Sequence, residues 1–358
     1  MNNLNLEASP SIHYIVWRFT LGGAELSIQH YAKSFGFDRS LYAYSLRKPN
    51  RDIFAGMPIK TDEGADSNWQ CYLKYFNYCR RYRQQIFHLH NAGPVIALLT
   101  VLAGVKNPIY HIHGTIYWHN AKQKIYLRMV WFLVSLFKMT FVAVSNHAAD
   151  IFQRDAINKR PLVIFNGVAT EPFLEKRHQR KSPKRLGYAG RLFTGKNVDL
   201  VIRLFEEVAD TYPELELHIA GDGTLRPELE AQAKQSPYKE RIKFLGFVQD
   251  MPSFYASIDL FIFLSAYESF GNVLAEALLT GLPVLTSAVP VFKEIYGEEA
   301  DFLLGDYRNY EQISQKFKIA LAKFPVLAEK GFAMSEAMEA QFSIEKHLCQ
   351  IKQLYANY

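Results

Sequence analysis

The sequence predicts an α/β protein built from two doubly wound, Rossmann-like domains facing a central cleft. Three observations carry that prediction. Short apolar, β-rich runs alternate with helical patterns along the chain, which implies buried parallel strands joined by helices on both faces of each sheet. The composition changes once, at 171–185, where EPFLEKRHQRKSPKR is charged, holds two prolines and has no clean periodicity; such a stretch reads as an interdomain linker. Glycines follow strands directly at Gly190 and Gly221, as when a chain leaves the carboxyl end of a strand, the side on which α/β folds bind ligands. A length of 358 residues agrees with two domains of about 100–200 residues each.

The elements follow in order. IHYIVW (12–17) is the first strand, and TLGGAE turns from it into a helix through Phe35. LYAYSL (41–46), QIFHLH (85–90), PIYHIH (108–113), TFVAVS (140–145) and PLVIF (161–165) complete the first set. PVIALLTVLAG is a helix, and so is the basic stretch from His119 to Lys138. After the linker come RLGYAG (185–190), ELELHIAG (214–221), IKFLGFV (242–248), DLFIFLS (259–265) and PVLTS (283–287), with helices between them. The tail, 309–358, is helical.

Composition excludes several classes. The hydrophobic fraction is 49%, too high for a disordered chain. Cys71, Cys79 and Cys349 are few and odd in number, so neither a disulfide framework nor a cysteine metal site is expected, and a reduced, cytoplasmic setting fits them. MNNLNLEASPS lacks the apolar core of a signal peptide. The apolar stretches at 95–105 and 129–137 fall short of the roughly 20 residues of a spanning helix. Charge is divided: residues 1–174 carry a net +9 and residues 175–358 a net −3. That asymmetry suggests two domains with different partners.

The segment DLFIFLSAYESFGNVLAEALLTGLPVLTS (259–287) holds the strongest chemical signal. A buried strand delivers Glu268, SFGN opens a helix, and Glu276 lies further along it. The backbone amides of Phe270, Gly271, Asn272 and Val273 form the first turn, which with the helix dipole suits a diphosphate. Gly271 lets backbone approach closely. Glu276 could accept from a ribose diol, and Glu268 lies where a sugar on that diphosphate would be; taken singly, each also reads as an ordinary capping or surface carboxylate. In AGRLFTGKN (189–197), Arg191 and Lys196 offer two cations at a strand end, able to neutralise a diphosphate without a metal, though solvated loop cations would look the same. The loop is not a P-loop, and GGAE does not complete a dinucleotide fingerprint. Gly22 and Gly23 form either a phosphate-contacting turn or a plain tight turn. His113 closes another strand in HIHGT, placed to bond a sugar hydroxyl or phosphate. His111 alternates with it; a metal pair is conceivable, but no third ligand is expected nearby, so no metal site is expected.

These segments together resemble the retaining glycosyltransferases of family 4 (glycosyltransferase group 1). The resemblance rests on GGAE, HIHG at 111–114, VSNHAAD at 144–150, FNGV at 165–168, AGRLFTGKN, IAGDG at 219–223, FLGFV at 244–248 and the glutamate pair of ESFGNVLAE, in order over nearly the whole chain. It implies the GT-B fold and a metal-independent hexosyl- or N-acetylhexosaminyl-type transferase, with no cofactor. The donor would be a UDP- or GDP-sugar and the acceptor a glycan or lipid-linked one, in bacterial-type surface polysaccharide or lipopolysaccharide biosynthesis. Arg191 and Lys196 match the positions that hold the donor diphosphate, together with the Phe270–Val273 backbone and the closing loop at Gly22 and Gly23. Glu276 matches the ribose glutamate, Glu268 the carboxylate near the donor sugar and His113 the histidine near it. Phe247 and Val248 fall where the base-binding loop begins. Residues 1–173 would form the acceptor domain, 174–184 a hinge and 185–341 the donor domain, with a final helix at 342–358 crossing back onto the first domain. Two departures stand out: Ala169 replaces an acid after FNGV, and AVPVFKE, with Val289, Pro290 and Glu294, replaces a glycine-rich turn near the donor sugar. A sugar-nucleotide epimerase or a catalytically silent binding subunit of the same fold are the alternatives.

The stretch 115–140 mixes Trp118, Trp131 and other aromatics with Lys122, Lys124, Arg128 and Lys138, and RRYRQQ (80–85) adds three arginines. A core-packed helix with a solvated basic face is one reading. The other is a peripheral attachment to the anionic inner leaflet, where lipid-linked acceptors reside. No nucleic-acid module is present, so nucleic acid is not expected as a partner.

Overall fold

The computed structural model describes residues 10–19, 23–36, 40–48, 53–114, 120–297 and 299–358. The chain divides into two compact units, one formed by residues 1–167 and 345–358, the other by 168–344.

The first unit is a parallel sheet of seven strands. These are β1 (Ile12–Val16), β2 (Leu41–Ser45), β3 (Lys60–Glu63), β4 (Ile86–His90), β5 (Asn107–Ile112), β6 (Thr140–Ala143) and β7 (Leu162–Val163), in the order β3-β2-β1-β4-β5-β6-β7. The joining helices are α1 (Gly23–Phe35), α2 (Asn68–Arg81), α3 (Pro94–Leu102), α4 (Ala121–Ser135) and α5 (Asn146–Asp155). Strand alternation gives each sheet face its own character. On one face, His13 stacks between Tyr42 (4.6 Å) and Phe87 (5.1 Å), its partners in the parallel register, and its Nδ1 bonds the Tyr78 hydroxyl of α2 at 2.6 Å. On the other face, Ile12, Tyr14, Ile86, Ile109 and Val142 pack against Ile28, Tyr31 and Phe35 of α1.

The second unit opens with α6 (Glu171–Leu174) and continues as β8 (Arg185–Ala189), α7 (Val198–Val208), β9 (Glu216–Ala220), α8 (Arg226–Gln235), β10 (Ile242–Gly246), α9 (Met251–Ser257), β11 (Leu260–Phe263), α10 (Asn272–Leu279), β12 (Val284–Ser287), α11 (Pro290–Tyr296), β13 (Leu303–Gly305), α12 (Tyr310–Ala322) and α13 (Phe324–Phe342). Its six strands are parallel, in the order β10-β9-β8-β11-β12-β13. α7 shows how the sequence builds this unit: Val198, Val201, Ile202, Phe205 and Val208 recur at helical spacing and are all buried.

The last helix, α14 (Ile344–Ala356), returns the chain to the first unit. Ile351, Leu354 and Tyr355 join the core against α1, and Tyr31 donates to His347 Nε2 at 2.7 Å while His347 Nδ1 donates to the Phe165 carbonyl.

One expectation is corrected. Residues 174–184 are not a segment between the units; they belong to the second unit, and the division falls at 167/168. The cause is Arg180, which the charged composition disguised. Its guanidinium is buried and donates to the carbonyls of His178 (2.8 Å), Tyr255 (2.9 Å), Ile258 (3.4 Å) and Thr280. Burial pushes its pKa down to about 10, so it stays charged at neutral pH and is satisfied mainly by carbonyls, with the Thr280 hydroxyl at 3.5 Å.

Candidate active site

In the second unit, the predicted cations and carboxylates come from loops that leave β8 and β11. These strands are sheet neighbours although two further strands lie between them in sequence. The two loops are tied to each other: Ala266 N–H donates to the Gly195 carbonyl (2.8 Å) and the Asn197 side chain to the Leu264 carbonyl (2.7 Å). This brings Lys196 onto Glu268. The Lys196 ammonium is ion-paired with Glu268 Oε1 and donates to Ser265 Oγ at 3.3 Å, and Ser265 Oγ donates to the same carboxylate oxygen at 3.0 Å. The ammonium also lies 5.2 Å from the Phe263 ring and 5.7 Å from Phe193. Arg191 is exposed, with its guanidinium 5.0 Å from Phe193, so the two predicted cations flank one aromatic ring.

Glycines let this loop close on its neighbours. Gly221 has φ +130, and a Cβ there would lie 1.9 Å from the Gly190 carbonyl oxygen. The ends of β8 and β9 therefore meet backbone to backbone.

α10 begins beyond Gly271, whose φ of +90 and ψ of +59 place it in the left-handed region. Of its first-turn amides, Leu274 N–H takes the Gly271 carbonyl at 2.9 Å, and the helix start keeps the positive end of its dipole there. Phe270 contributes backbone only, since its side chain is buried edge-on against Phe342 at 5.2 Å. Glu276 lies one turn on and is half-buried. Tyr255 of α9 donates to its Oε2 at 3.2 Å, so one of its two oxygens is already engaged. Burial pushes the Glu276 carboxyl up to about 7, against the opposing pull of that hydroxyl. Phe247 follows β10 and is 76% exposed; Val248 beside it is half-buried. In the departing segment, Pro290 supplies the first position of α11, a place where its missing N–H costs nothing.

The remaining predicted residues belong to the first unit. Gly23 opens α1 and is exposed; Gly22 lies outside the described residues. His113 is half-buried just past β5, and its Nε2 is 2.9 Å from His90 Nδ1. Burial, with His347 adding to it, pushes His113 down to about 3, so its ring is neutral. His111 stands beside it as expected, with ring centroids 4.4 Å apart. The expectation that no third histidine lies near is overturned: β4 brings His88 and His90 against His111, at 5.2 and 5.3 Å between centroids.

Residues 22–172 match the model of Glycosyltransferase Family 4, and residues 170–328 that of Glycosyl transferases group 1. The two matches abut near the boundary between the units. The chain belongs to the family 4, group 1 glycosyltransferases. It is 23% identical over 97% of its length to the O-antigen biosynthesis glycosyltransferase WclY of Escherichia coli, covering 98% of that protein. It is 30% identical over 48% of its length to N-acetylgalactosamine-N,N'-diacetylbacillosaminyl-diphospho-undecaprenol 4-alpha-N-acetylgalactosaminyltransferase of Campylobacter jejuni, covering 47% of it. Among solved structures, Anabaena HepE in complex with UDP and glucose superposes with a TM-score of 0.81 at 17% identity, over 98% of this chain and 100% of that one. WaaG, a glycosyltransferase involved in lipopolysaccharide biosynthesis, does so at 0.72 and 16% identity, over 92% and 99%. The fold is GT-B.

For this glycosyltransferase the structure joins Lys196 and Glu268 directly and sets Arg191 one aromatic ring away. Sequence reasoning passed over three polar residues that complete these clusters. Ser265 bridges Lys196 and Glu268, and Tyr255 holds Glu276. Asn91 follows β4 with φ +50, and a Cβ on Gly114 would stand 3.1 Å from its Nδ2. The signal for Asn91 was present: HLHNAG places a polar residue directly after a strand end, on the sheet that also ends in HIHG.

Proposed function

We propose that this glycosyltransferase moves a sugar, with retention, from a nucleotide-diphosphate sugar to a glycan or lipid-linked acceptor in surface polysaccharide biosynthesis. A UDP-sugar is the first choice of donor and a GDP-sugar the second. The observation that carries the reading is the cluster of Lys196, Ser265 and Glu268 at the ends of β8 and β11, in the loop that leads to the glycine-capped start of α10. Support for the donor comes from the HepE complexes with UDP and UDP-glucose. Support for the acceptor comes from the Campylobacter relative, whose name specifies a diphospho-undecaprenol substrate.

In this reading the donor diphosphate lies against the first turn of α10, with Arg191 and Lys196 as counter-charges. The bond from the anomeric carbon to the phosphate oxygen breaks, and charge develops on that oxygen. Two cations and the helix start meet it, so no metal is called on. The acceptor hydroxyl attacks from the same face and passes its proton to the departing phosphate oxygen, leaving the glycoside and a nucleoside diphosphate. Glu268 orients the sugar and does not attack it. Its Oε1 is taken by Lys196 and Ser265, which leaves Oε2 for a sugar hydroxyl. The unpaired lobe of Glu276 receives the ribose diol, and the Phe247 ring stacks on the base beside Val248. Within the first unit, His113 keeps Nδ1, the nitrogen that His90 does not use, for a sugar hydroxyl, and Gly23 exposes backbone suited to phosphate.

A thermal-shift panel of nucleotide sugars, followed by transfer to lipid-linked acceptors, tests this. UDP and one UDP-sugar should raise Tm, and Arg191→Ala and Lys196→Ala should each lower kcat/KM by about 10²–10³-fold. Glu268→Gln with unchanged transfer would remove any role for its charge. Donor isomerised without acceptor would make the protein an epimerase.

The same proposal includes a membrane surface. Among the described residues no helix is long and apolar enough to cross a bilayer. α4 buries Val130, Trp131 and Val134, while Ile125, Met129, Phe132, Leu133 and Leu136 are exposed. This is the apolar stripe of a helix lying in an interface, with Lys122, Arg128 and Lys138 exposed beside it. Arg80, Arg81 and Arg83 are also exposed and would add attraction to an anionic leaflet.

A further inference from the structure

One face of the first sheet carries an imidazole cluster larger than sugar transfer uses. His88 and His90 alternate on β4, and in the parallel register His90 stands opposite His111 of β5. All three are buried, and one ring nitrogen from each lies within 4.8 Å of the other two. Their hydrogen bonds do not close the cluster. His88 Nδ1 meets the Tyr355 hydroxyl at 2.6 Å, His88 Nε2 meets His111 Nδ1 at 3.2 Å and His90 Nδ1 meets His113 Nε2 at 2.9 Å. His90 Nε2 and His111 Nε2 are buried with no partner. A buried polar group left without a partner is destabilising, and here two occur together on adjoining strands.

We propose that His88, His90 and His111 bind a single transition-metal ion of the zinc class, held between β4 and β5 under α1 and α14. Zinc–nitrogen bonds of about 2.0–2.1 Å set ligand nitrogens about 3.3 Å apart in a tetrahedral site. His88 Nε2 and His111 Nδ1, the pair the ion would take, are already 3.2 Å apart, and rotation of the His90 ring on its fixed strand brings in its unpartnered Nε2, while His111 Nε2 stays outside the ion's shell. The donor set selects the metal. It is all imidazole, and among the described residues no carboxylate is hydrogen-bonded to the three rings, which suits zinc and its neighbours and excludes calcium and magnesium, which take oxygen ligands. An outer shell is in place: Tyr355 and His113 hold the Nδ1 atoms of His88 and His90 and leave their Nε2 atoms for the ion. A water in the fourth position that loses its proton to solvent near neutral pH offsets part of the ion's charge.

The ion would also act on the transfer site at one remove. With Nε2 of His90 on the metal, its Nδ1 carries the proton and donates to His113 Nε2. That fixes the His113 tautomer with its own proton on Nδ1, the nitrogen assigned to the sugar hydroxyl. His90 is thus a positioning residue.

The test uses full-length protein without a histidine tag. Elemental analysis should find about one zinc per chain. Removal by a chelator should lower Tm by about 5 °C or more, with recovery on adding zinc. Cobalt(II) added to the stripped wild-type protein should give the visible absorption of a low-coordinate nitrogen site, saturating at one equivalent. His111→Asn should lose both metal and absorption. A wild-type chain that takes up no stoichiometric zinc or cobalt and shows no Tm shift overturns the proposal. So does full retention of metal by a folded His111→Asn variant.

Discussion

Glu276 carries opposite consequences for stability and for binding. Its carboxyl is raised to about 7 from an ordinary value of 4.5. Between those values the folded chain holds a proton that the unfolded chain releases, so folding stability falls as pH rises from 4.5 to 7. Glu276→Gln removes that penalty: melting curves should show the variant more stable than wild type at pH 8 and equal to it at pH 5. In the proposed function donor binding runs the other way, because the ribose diol would need the charged acceptor. UDP affinity in wild type should fall by about tenfold per pH unit below 7, and in the variant it should be weak and flat with pH. Titration calorimetry at pH 6, 7 and 8 decides; a flat wild-type profile takes Glu276 out of the donor site. Gly271 gives a second prediction. A side chain at φ +90 costs about 1–2 kcal/mol, and a Cβ there would lie 3.0 Å from Phe292 Cε1. Gly271→Ala should lower Tm by a few degrees and weaken UDP binding by more than that loss explains, because the turn it distorts is the one proposed to meet phosphate. The types and local positions of these residues were legible in the sequence. The contact between Lys196 and Glu268 was not, because it depends on β8 lying beside β11, and a crossover of that kind leaves no mark in the spacing of residues.

Among elements, α4 departs furthest from the pattern of a soluble protein's helix. Met129 is 64% exposed and Phe132 62%, on a helix whose charged residues suggested a solvated basic face. The basic residues Lys122, Arg128 and Lys138 are exposed as that reading expects, but an apolar stripe is exposed beside them. Neutralising Lys122, Arg128 and Lys138 should reduce binding to phosphatidylglycerol vesicles by about 100-fold, at about 1 kcal/mol for each cation. Phe132→Gln with Leu136→Gln should reduce it even on neutral vesicles. Cosedimentation unchanged in both variants would reject α4 as the contact. Lys124 is left out of the first set because it pairs with buried Asp155 at 3.4 Å. The strands that sequence reading missed, β3 and β13, were missed for a physical reason. β3 is KTDE, an edge strand with an exposed, charged pattern, which protects a sheet edge and hides it from any search for apolar alternation. β13 has three residues, the last a glycine at φ +123.

At the scale of the whole molecule, the rhythm of strands and helices was enough to give two parallel sheets, because buried parallel strands leave apolar runs. The position of the division was not legible from composition. Charged side chains mark 171–185 as solvent-exposed, yet buried Arg180 anchors the stretch in the second unit, together with Phe173 and Arg177. α14 supplies the last prediction. Truncation before Glu345 removes Ile351, Leu354 and Tyr355 from the first core. At about 1.5–3 kcal/mol for each large side chain, the loss approaches the total stability of a domain. Limited proteolysis of the truncated chain should degrade the first unit and leave a fragment near 168–344. Equal survival of both would show that α14 is dispensable.

The same helix orders events during synthesis. Its residues reach the ribosome's exit after the whole second unit has been made, a delay of roughly 10–35 s at bacterial-like elongation rates. For that interval the second unit can fold, while the first, although translated earlier, waits without the part of its core that α14 supplies. The half of the protein that is made first is therefore finished last, and its nascent form is the species that a chaperone would meet.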